Sequence, residues 1–184
     1  MKGIDKVFAA QTCNINSIRI IMHIRLKKNY LYFYNYKLKC SIGKRGLTYK
    51  KKEGDNKTPI ESFKFELLLF RKDRIKSFQS KIKKLSITKN MGWCDDPKSN
   101  FYNKLIKFPF KMSAEKLFLK KRNYDLVLVI NYNKRPIIKN KGSAIFLHLT
   151  DKKFSPTKGC IAITKKDFLQ ILPLITKKTK LIIY

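Results

Sequence analysis

A cysteine and a histidine near the C-terminal end of the chain have the residue types needed for nucleophilic catalysis. Cys160 follows Gly159 at the end of a turn-rich stretch, and His148 lies upstream in an apolar segment. A histidine beside a thiol takes its proton and makes the nucleophilic thiolate available near neutral pH. The glycine permits backbone angles at which the cysteine N–H points at a bound carbonyl. Two neighbouring antiparallel strands joined by this stretch would place the imidazole beside the thiol at the floor of an open groove, as a nucleophilic cysteine requires.

These two residues alone leave a purely structural interpretation open. A single cysteine usually packs as a small buried hydrophobe, and a histidine in an apolar strand is more often a core residue. Cys13, Cys40 and Cys94 are predicted to be buried thiols, and none of the four cysteines belongs to a Cys-x-x-Cys pair. No metal site and no cofactor are therefore expected.

The elements that must position the pair are predicted to be strands and one helix. Thr164, with Asp167 three residues later, resembles a helix capping box and predicts a helix over 165–172 that ends near Pro173. Stretches 43–59 and 93–97 are predicted to be loops. Apolar or alternating segments predict strands at 18–26, 30–36, 37–42, 63–70, 124–131, 144–149, 160–163 and 180–184. Residues 1–184 are thus expected to form a single mainly β (α+β) domain.

The composition supports a folded protein and raises the question of an anionic partner. Hydrophobic residues make up 43% of the 184 residues, whereas 43 Lys and Arg against 12 Asp and Glu give a net charge of +31. The charge fits either a polyanion partner or a composition that is simply rich in Lys, Asn and Ile. The basic residues are spread along the chain and no nucleic-acid motif is present. No nucleic-acid partner is expected, and weak binding to anionic surfaces is left open.

The N-terminal stretch does not read as an export signal. Its apolar run at 7–10 spans four residues, and Arg19 and His23 interrupt the next one. A signal peptide needs an apolar run of roughly 7 to 15 residues and a membrane helix about 20. Neither a signal peptide nor a transmembrane segment is therefore predicted.

Short motifs in order along the chain resemble the catalytic domain of the L,D-transpeptidase (YkuD-type) family. An upstream histidine in GSAIFLH, residues 142–148, precedes a Thr-x-Gly-Cys motif in PTKGCIA, residues 156–162. KEGDNKTP at 52–59 and WCDDP at 93–97, followed by Tyr102 and Asn103, are similar to segments of a compact proteobacterial branch. The resemblance covers residues 40–184.

The resemblance implies a β-sandwich with one or two flanking helices and a peptidoglycan substrate. Cys160 would attack the diaminopimelate carbonyl of a donor stem peptide and expel the terminal D-Ala. An acceptor amine would then take the acyl group, forming a 3–3 or 1–3 cross-link. His148 would move the protons, oriented by a backbone carbonyl rather than an acidic side chain. The family also implies a periplasmic or cell-wall location, although no signal peptide is visible.

Further site residues follow from the same motifs. Thr157, Lys158 and Gly159 form the turn before the nucleophile and its oxyanion side. Two positions depart from the common pattern, because Lys158 replaces a histidine and Ala162 replaces an arginine or asparagine. These departures leave the acceptor open, and a thiol L,D-carboxypeptidase or hydrolase is one alternative. The net charge of +31 leaves a second alternative, a basic polyanion-binding module with a degenerate site. The substrate-binding candidates, each weighed against a structural role, are Trp93, Asp95, Asp96, Tyr102, Asn103 and Ser143.

Overall fold

Short β-strands make up most of the regular structure. The computed structural model describes residues 22–184, and this part of the chain also holds one α-helix, α1 (Lys165–Ile171), and 3₁₀ turns at Arg122–Tyr124 and Leu172–Leu174. The strands are β1 (Ile24–Lys27), β2 (Tyr30–Phe33), β3 (Tyr36–Lys39), β4 (Leu47–Thr48), β5 (Thr58–Pro59), β6 (Ser62–Phe70), β7 (Lys84–Ser86), β8 (Met91–Cys94), β9 (Leu105–Lys107), β10 (Ala114–Lys116), β11 (Leu126–Ile130), β12 (Phe146–Leu149), β13 (Ile161–Ile163) and β14 (Lys180–Ile183).

Nine strands form the main sheet, which carries both residues of the candidate pair. Its order is β13-β12-β11-β6-β14-β1-β2-β3, with β7 pairing alongside β6. Strand β6 is the longest, and β11 lies antiparallel to it with Val127 opposite Leu69. β10, β8 and β9 form a separate three-stranded sheet, and β4 pairs with β5 in parallel.

Both faces of the main sheet are covered at β11, β12 and β13, and the fold is a mainly β sandwich as predicted. All five residues of β11 are buried, so successive side chains alternate between two apolar clusters. Leu126 and Leu128 join the cluster covered by α1, through Phe168. Val127 packs in the other cluster, with Trp93 of the three-stranded sheet, Phe146 and Cys160. The candidate nucleophile therefore lies between the two sheets.

Predictions of the elements around the site are largely confirmed. Helix α1 begins after Thr164, whose Oγ1 accepts a hydrogen bond from the Asp167 N–H at 3.1 Å. Segments 124–131, 144–149 and 160–163 each contain a strand, although each strand is shorter than predicted. Within residues 22–184, no helix is long and apolar enough to cross a membrane. Cys13, residues 18–21 of the first predicted strand and the interpretation of the N-terminal stretch lie outside the described residues.

The loop predicted at 93–97 is wrong for its first two residues. Trp93 and Cys94 end strand β8, which is buried throughout between β9 and β10. The four-residue strand contains Gly92 and has no polar alternation, because all four of its residues are buried. The sequence pattern therefore failed to show a sheet that covers the site.

Candidate active site

Cys160 and His148 are brought together by two neighbouring strands of the main sheet. β12 and β13 pair in parallel, with Leu147 opposite Ile161 and His148 opposite Ala162. The antiparallel arrangement expected from the sequence is therefore wrong. The connection at 150–160 is long enough to carry the chain back to the start of the next strand, as a parallel pair requires.

The imidazole and the thiol lie on the same face of the sheet. Leu147 and Ile161 point into the cluster beneath α1, whereas Phe146 and Cys160 point into the opposite cluster. Side chains alternate along a strand, so His148 follows Phe146 onto the side of Cys160. The parallel register thus places both side chains on one face, with Cys160 two residues before Ala162, the residue opposite His148.

Two backbone groups hold the thiol in this structure. Sγ of Cys160 accepts a hydrogen bond from the Phe146 N–H at 3.3 Å and donates one to the Ala144 carbonyl at 3.1 Å. The residue is only 8% exposed, which corrects the expectation of an open groove. Burial, followed by the nearby Glu115 carboxylate, raises the pKa of the Cys160 thiol to about 12. The resting nucleophile is therefore a covered, protonated thiol.

The imidazole is neutral and has a defined tautomer. Nδ1 of His148 lies 2.9 Å from the Leu149 carbonyl oxygen, which can only accept a hydrogen bond, so Nδ1 carries the proton. Burial lowers the pKa of His148 to about 4, although the Leu149 carbonyl opposes this shift. Nε2 therefore keeps its lone pair and can accept a proton.

The turn before Cys160 is fixed by two threonines. Gly159 adopts φ +139°, and a Cβ at this position would lie 2.9 Å from the Lys57 carbonyl oxygen. The Thr157 hydroxyl donates to the Cys160 carbonyl at 2.6 Å and accepts the Gly159 N–H at 3.1 Å. From β5, the Thr58 hydroxyl donates to the Gly159 carbonyl at 2.8 Å. These bonds hold the turn on which the nucleophile sits.

The segment before β5 packs against the same turn through Lys51, whose Cε would lie 3.6 Å from a Cβ at Gly159. Nζ of Lys51 lies 2.6 Å from Oδ1 of Asp55 and also donates to the Lys52 carbonyl at 2.7 Å. The Lys51 charge lowers the pKa of the Cys160 thiol, although less strongly than burial raises it. The motif at 52–59 predicted a loop bordering the cleft, but the sequence did not single out Lys51. Lys158, the cation next to the nucleophile in sequence, is exposed.

Asn103 connects the three-stranded sheet to the loop before the histidine strand. Its Oδ1 accepts hydrogen bonds from the Trp93 indole at 2.9 Å and from the Ala144 N–H at 3.2 Å. Its Nδ2 donates to the carbonyls of Tyr132 and Asn133 at 3.0 and 2.7 Å. Ala144, whose carbonyl holds the thiol, adopts φ +50°. Asn103 therefore fixes a strained residue that contacts the nucleophile.

The other substrate-binding candidates occupy different environments. The Tyr102 hydroxyl donates to Glu53 at 2.5 Å and accepts the Gly142 N–H at 2.9 Å. Tyr102, Asn103 and Trp93 are at most 3% exposed and all make hydrogen bonds within the protein. Among the described residues, Asp95 Oδ1 and Ser143 Oγ are buried atoms without a hydrogen-bond partner.

Asp96 and Ala162 both make hydrogen bonds within the protein. Oδ1 of Asp96 accepts the Lys98 N–H at 2.9 Å, as in a turn capped by an aspartate. Ala162 is 1% exposed and exchanges two backbone hydrogen bonds with Ser41, at 2.8 and 2.9 Å.

Two residues beside the pair were not identified by sequence analysis. The Tyr124 hydroxyl donates to Glu115 at 2.7 Å, and its ring packs edge-on against the His148 ring at 5.2 Å. Burial raises the pKa of the Glu115 carboxyl. Glu115 lies in residues 75–123, for which the sequence predicts no strand or helix and where no motif marks it. Tyr124 is the first residue of the strand predicted at 124–131. The three-stranded sheet, rather than any local pattern, places them at the site.

The fold is a mainly β sandwich, and the candidate cysteine–histidine pair lies on one face of its main sheet. A family model of the L,D-transpeptidase catalytic domain (YkuD) matches residues 19–183, and the chain belongs to this family. No curated protein matches the chain by sequence. The solved structure of Bd1075 from Bdellovibrio bacteriovorus is similar, with 16% sequence identity and a TM-score of 0.47. The match covers 89% of this chain and 48% of that one, so this chain spans about half the length of that protein.

Proposed function

We propose that this protein is an L,D-transpeptidase that acts on peptidoglycan stem peptides, with Cys160 as nucleophile and His148 as base. One observation carries the proposal: both side chains lie on one face of adjacent parallel strands, and the histidine tautomer leaves Nε2 free. A general base must have its lone pair available for the proton that it takes. Family membership supports the same chemistry.

The first half-reaction forms a thioester and releases D-Ala. The thiol proton leaves the Ala144 carbonyl, to which it is bound at rest, and passes to Nε2 of His148 as the sulfur attacks the diaminopimelate carbonyl. The new C–S bond forms, the C–N bond to D-Ala breaks, and the imidazolium returns its proton to the departing amine. Both groups are neutral at rest, so proton transfer accompanies attack rather than preceding it.

The second half-reaction transfers the acyl group to an acceptor. An amine of a second stem peptide attacks the thioester while His148 takes its proton, and the thiol is restored. A diaminopimelate amine as acceptor would give a 3–3 cross-link and an L-Ala amine a 1–3 cross-link, whereas water as acceptor would make the protein a carboxypeptidase. The backbone N–H of Cys160 is proposed to stabilise the oxyanion of both steps.

The remaining candidates divide by their burial. We assign Trp93, Tyr102 and Asn103 to positioning the loop before β12, because their side chains are buried among protein partners. Asp95 and Ser143, each with an unpartnered buried oxygen, are retained as candidates for substrate contact. Action on peptidoglycan would place the protein in the periplasm or cell wall, as is typical of the family.

Incubation with purified muropeptides tests the proposal. The wild-type protein is expected to release D-Ala and to form cross-linked products that mass spectrometry detects, whereas Cys160→Ala forms neither. Cys40→Ala is the matched control, because Cys40 is a buried thiol of the cluster beneath α1. D-Ala release without cross-links would indicate the carboxypeptidase. Product formation by Cys160→Ala would overturn the assignment of the nucleophile.

A further inference from the structure

A carboxylate with no role in the mechanism above is linked directly to the candidate pair. Glu115 lies on β10, opposite Trp93 of β8, and accepts the Tyr124 hydroxyl proton at 2.7 Å. Tyr124 ends the 3₁₀ turn that leads into β11 of the main sheet. The hydrogen bond therefore joins the three-stranded sheet to the main sheet beside the site.

Tyr124 gives the His148 ring its second restraint. The two rings pack edge to face, with centroids 5.2 Å apart and an interplanar angle of 78°. The Leu149 carbonyl holds only Nδ1, so the tilt of the imidazole depends on its packing. Tyr124 is 6% exposed and also packs against Phe146 at 6.2 Å. Holding the hydroxyl of Tyr124 therefore holds the imidazole.

The charged groups around the thiol come from several elements. Glu115 of β10 opposes thiolate formation, whereas Lys51, from the segment before β5, favours it. Glu115 in turn faces Tyr124 of the 3₁₀ turn, together with charges from Asp95, Lys158 and Glu53. Like charges at close range disfavour ionisation of both groups.

We propose that Glu115 is a positioning residue for the active-site pair, fixing the His148 imidazole through Tyr124. The inference rests on the proposed function for its role in catalysis. Its physical effect is a property of the substrate-free protein, because the hydrogen bond to Tyr124 acts on the imidazole whether or not a substrate is bound.

Glu115→Gln and Glu115→Ala together test the hydrogen bond, because the amide oxygen of glutamine still accepts the Tyr124 hydroxyl, whereas alanine leaves it without this partner. Glu66→Gln, which removes a carboxylate that faces the exposed Arg135 at 4.0 Å, is the control for loss of a negative charge and is expected to match the wild type.

Nuclear magnetic resonance of the imidazole tests the positioning effect. The chain has two histidines, so the ring Cε1–H resonance of His148 is assigned by comparison with His148→Phe. This resonance is expected to stay in place in Glu115→Gln and to shift or broaden in Glu115→Ala. An unshifted His148 resonance in Glu115→Ala, or a resonance displaced as far in Glu115→Gln as in Glu115→Ala, would overturn the proposal. The measurement uses no substrate, so a failed muropeptide assay would be a separate result.

Discussion

At the scale of single residues, the candidate site is a pair of neutral groups held by the backbone. The Leu149 carbonyl fixes the His148 tautomer, and the Ala144 carbonyl holds the Cys160 proton. Burial moves both pKa values away from neutrality, the thiol upwards and the imidazole downwards. The charged forms are therefore expected during the reaction, not in the resting protein.

The buried imidazole predicts a loss of stability in acid. The pKa of His148 is lowered from 6.5 to about 4 in the folded protein, so between these values the unfolded chain binds more protons. The stabilising contribution is complete above pH 6.5, falls as the pH decreases and is lost below about 4. The loss amounts to roughly 3 kcal/mol, and urea unfolding at a series of pH values measures it.

His148→Phe is the control for this prediction. The apolar ring fills a similar buried volume but does not titrate, so the acid dependence that remains comes from other groups. The free energy of unfolding of the wild type, relative to that of the variant, is expected to fall by roughly 3 kcal/mol from pH 7 to pH 4. Parallel stability curves for the two proteins would contradict the neutral buried imidazole.

The sequence indicated the candidate pair more clearly than the residues packed around it. Cys160 and His148 could be singled out because both lie in short local motifs. Glu115 and Lys51 could not, because they approach the thiol only through long-range packing of the three-stranded sheet and the 52–59 segment. The tautomer of His148 likewise depends on the position of a backbone carbonyl, which a sequence does not encode.

At the scale of elements, the nucleophile turn depends on close contact with the neighbouring segment. Gly159 adopts φ +139° and has no room for a Cβ beside the Lys57 carbonyl oxygen, which would lie 2.9 Å away. Gly46 also has a positive φ, +79°, but meets no atom within 4 Å. Alanine substitutions at these two positions therefore separate the cost of backbone strain from the cost of a steric clash.

Gly159→Ala is expected to destabilise the protein by at least about 2 kcal/mol, because it adds a clash to the strain of a positive φ. Gly46→Ala is expected to lower the unfolding free energy by about 1 kcal/mol, from strain alone. Urea unfolding measures both, and alkylation of Cys160 reports the displaced turn only in Gly159→Ala. Equal stability losses in the two variants would contradict the close contact.

The capping box predicted for helix α1 can be tested at Thr164. Thr164→Ala removes the acceptor of the Asp167 N–H and is expected to lower the unfolding free energy by about 1 kcal/mol. Thr164→Ser keeps a hydroxyl at the same place and should retain most of the stability. Thermal and urea unfolding of the two variants measure the difference, and a loss as large in Thr164→Ser would refute the capping role.

Elements with strong local signals were predicted, whereas those defined by distant contacts were not. The capping box marked α1, and the aliphatic run marked β11 as buried on both faces. The parallel pairing of β12 and β13 could not be read from a connection whose path depends on contacts such as the bridge between Gly43 and Thr157. Strand β8 has neither length nor alternation, so only its packing partners reveal it.

At the scale of the whole molecule, the dominant property is the net charge of +31. A surface of this sign attracts anionic polymers over about one Debye length, roughly 10 Å at 0.1 M salt. The attraction is independent of the active site and would raise the local concentration of an anionic wall substrate. It predicts weak binding to anionic surfaces without a dedicated nucleic-acid motif.

Binding to isolated peptidoglycan sacculi is therefore expected to depend on salt. Raising the salt from about 50 mM to about 500 mM should weaken binding by about tenfold or more, because exposed charges are screened. Cys160→Ala, with the same charge, should bind like the wild type in a sedimentation assay. Binding that is insensitive to salt would contradict an electrostatic origin, and binding lost in Cys160→Ala would tie it to the active site instead.

The acyl-enzyme itself gives the most direct test of the central claim. The protein is mixed with a tetrapeptide stem, quenched in acid and measured by intact mass, with peptide mapping to locate any adduct. We expect an adduct on Cys160 whose mass equals that of the stem peptide minus D-Ala. The adduct should be absent in Cys160→Ala and should form more slowly in His148→Phe. An adduct on another residue, or D-Ala release by Cys160→Ala, would contradict cysteine acyl transfer at this site.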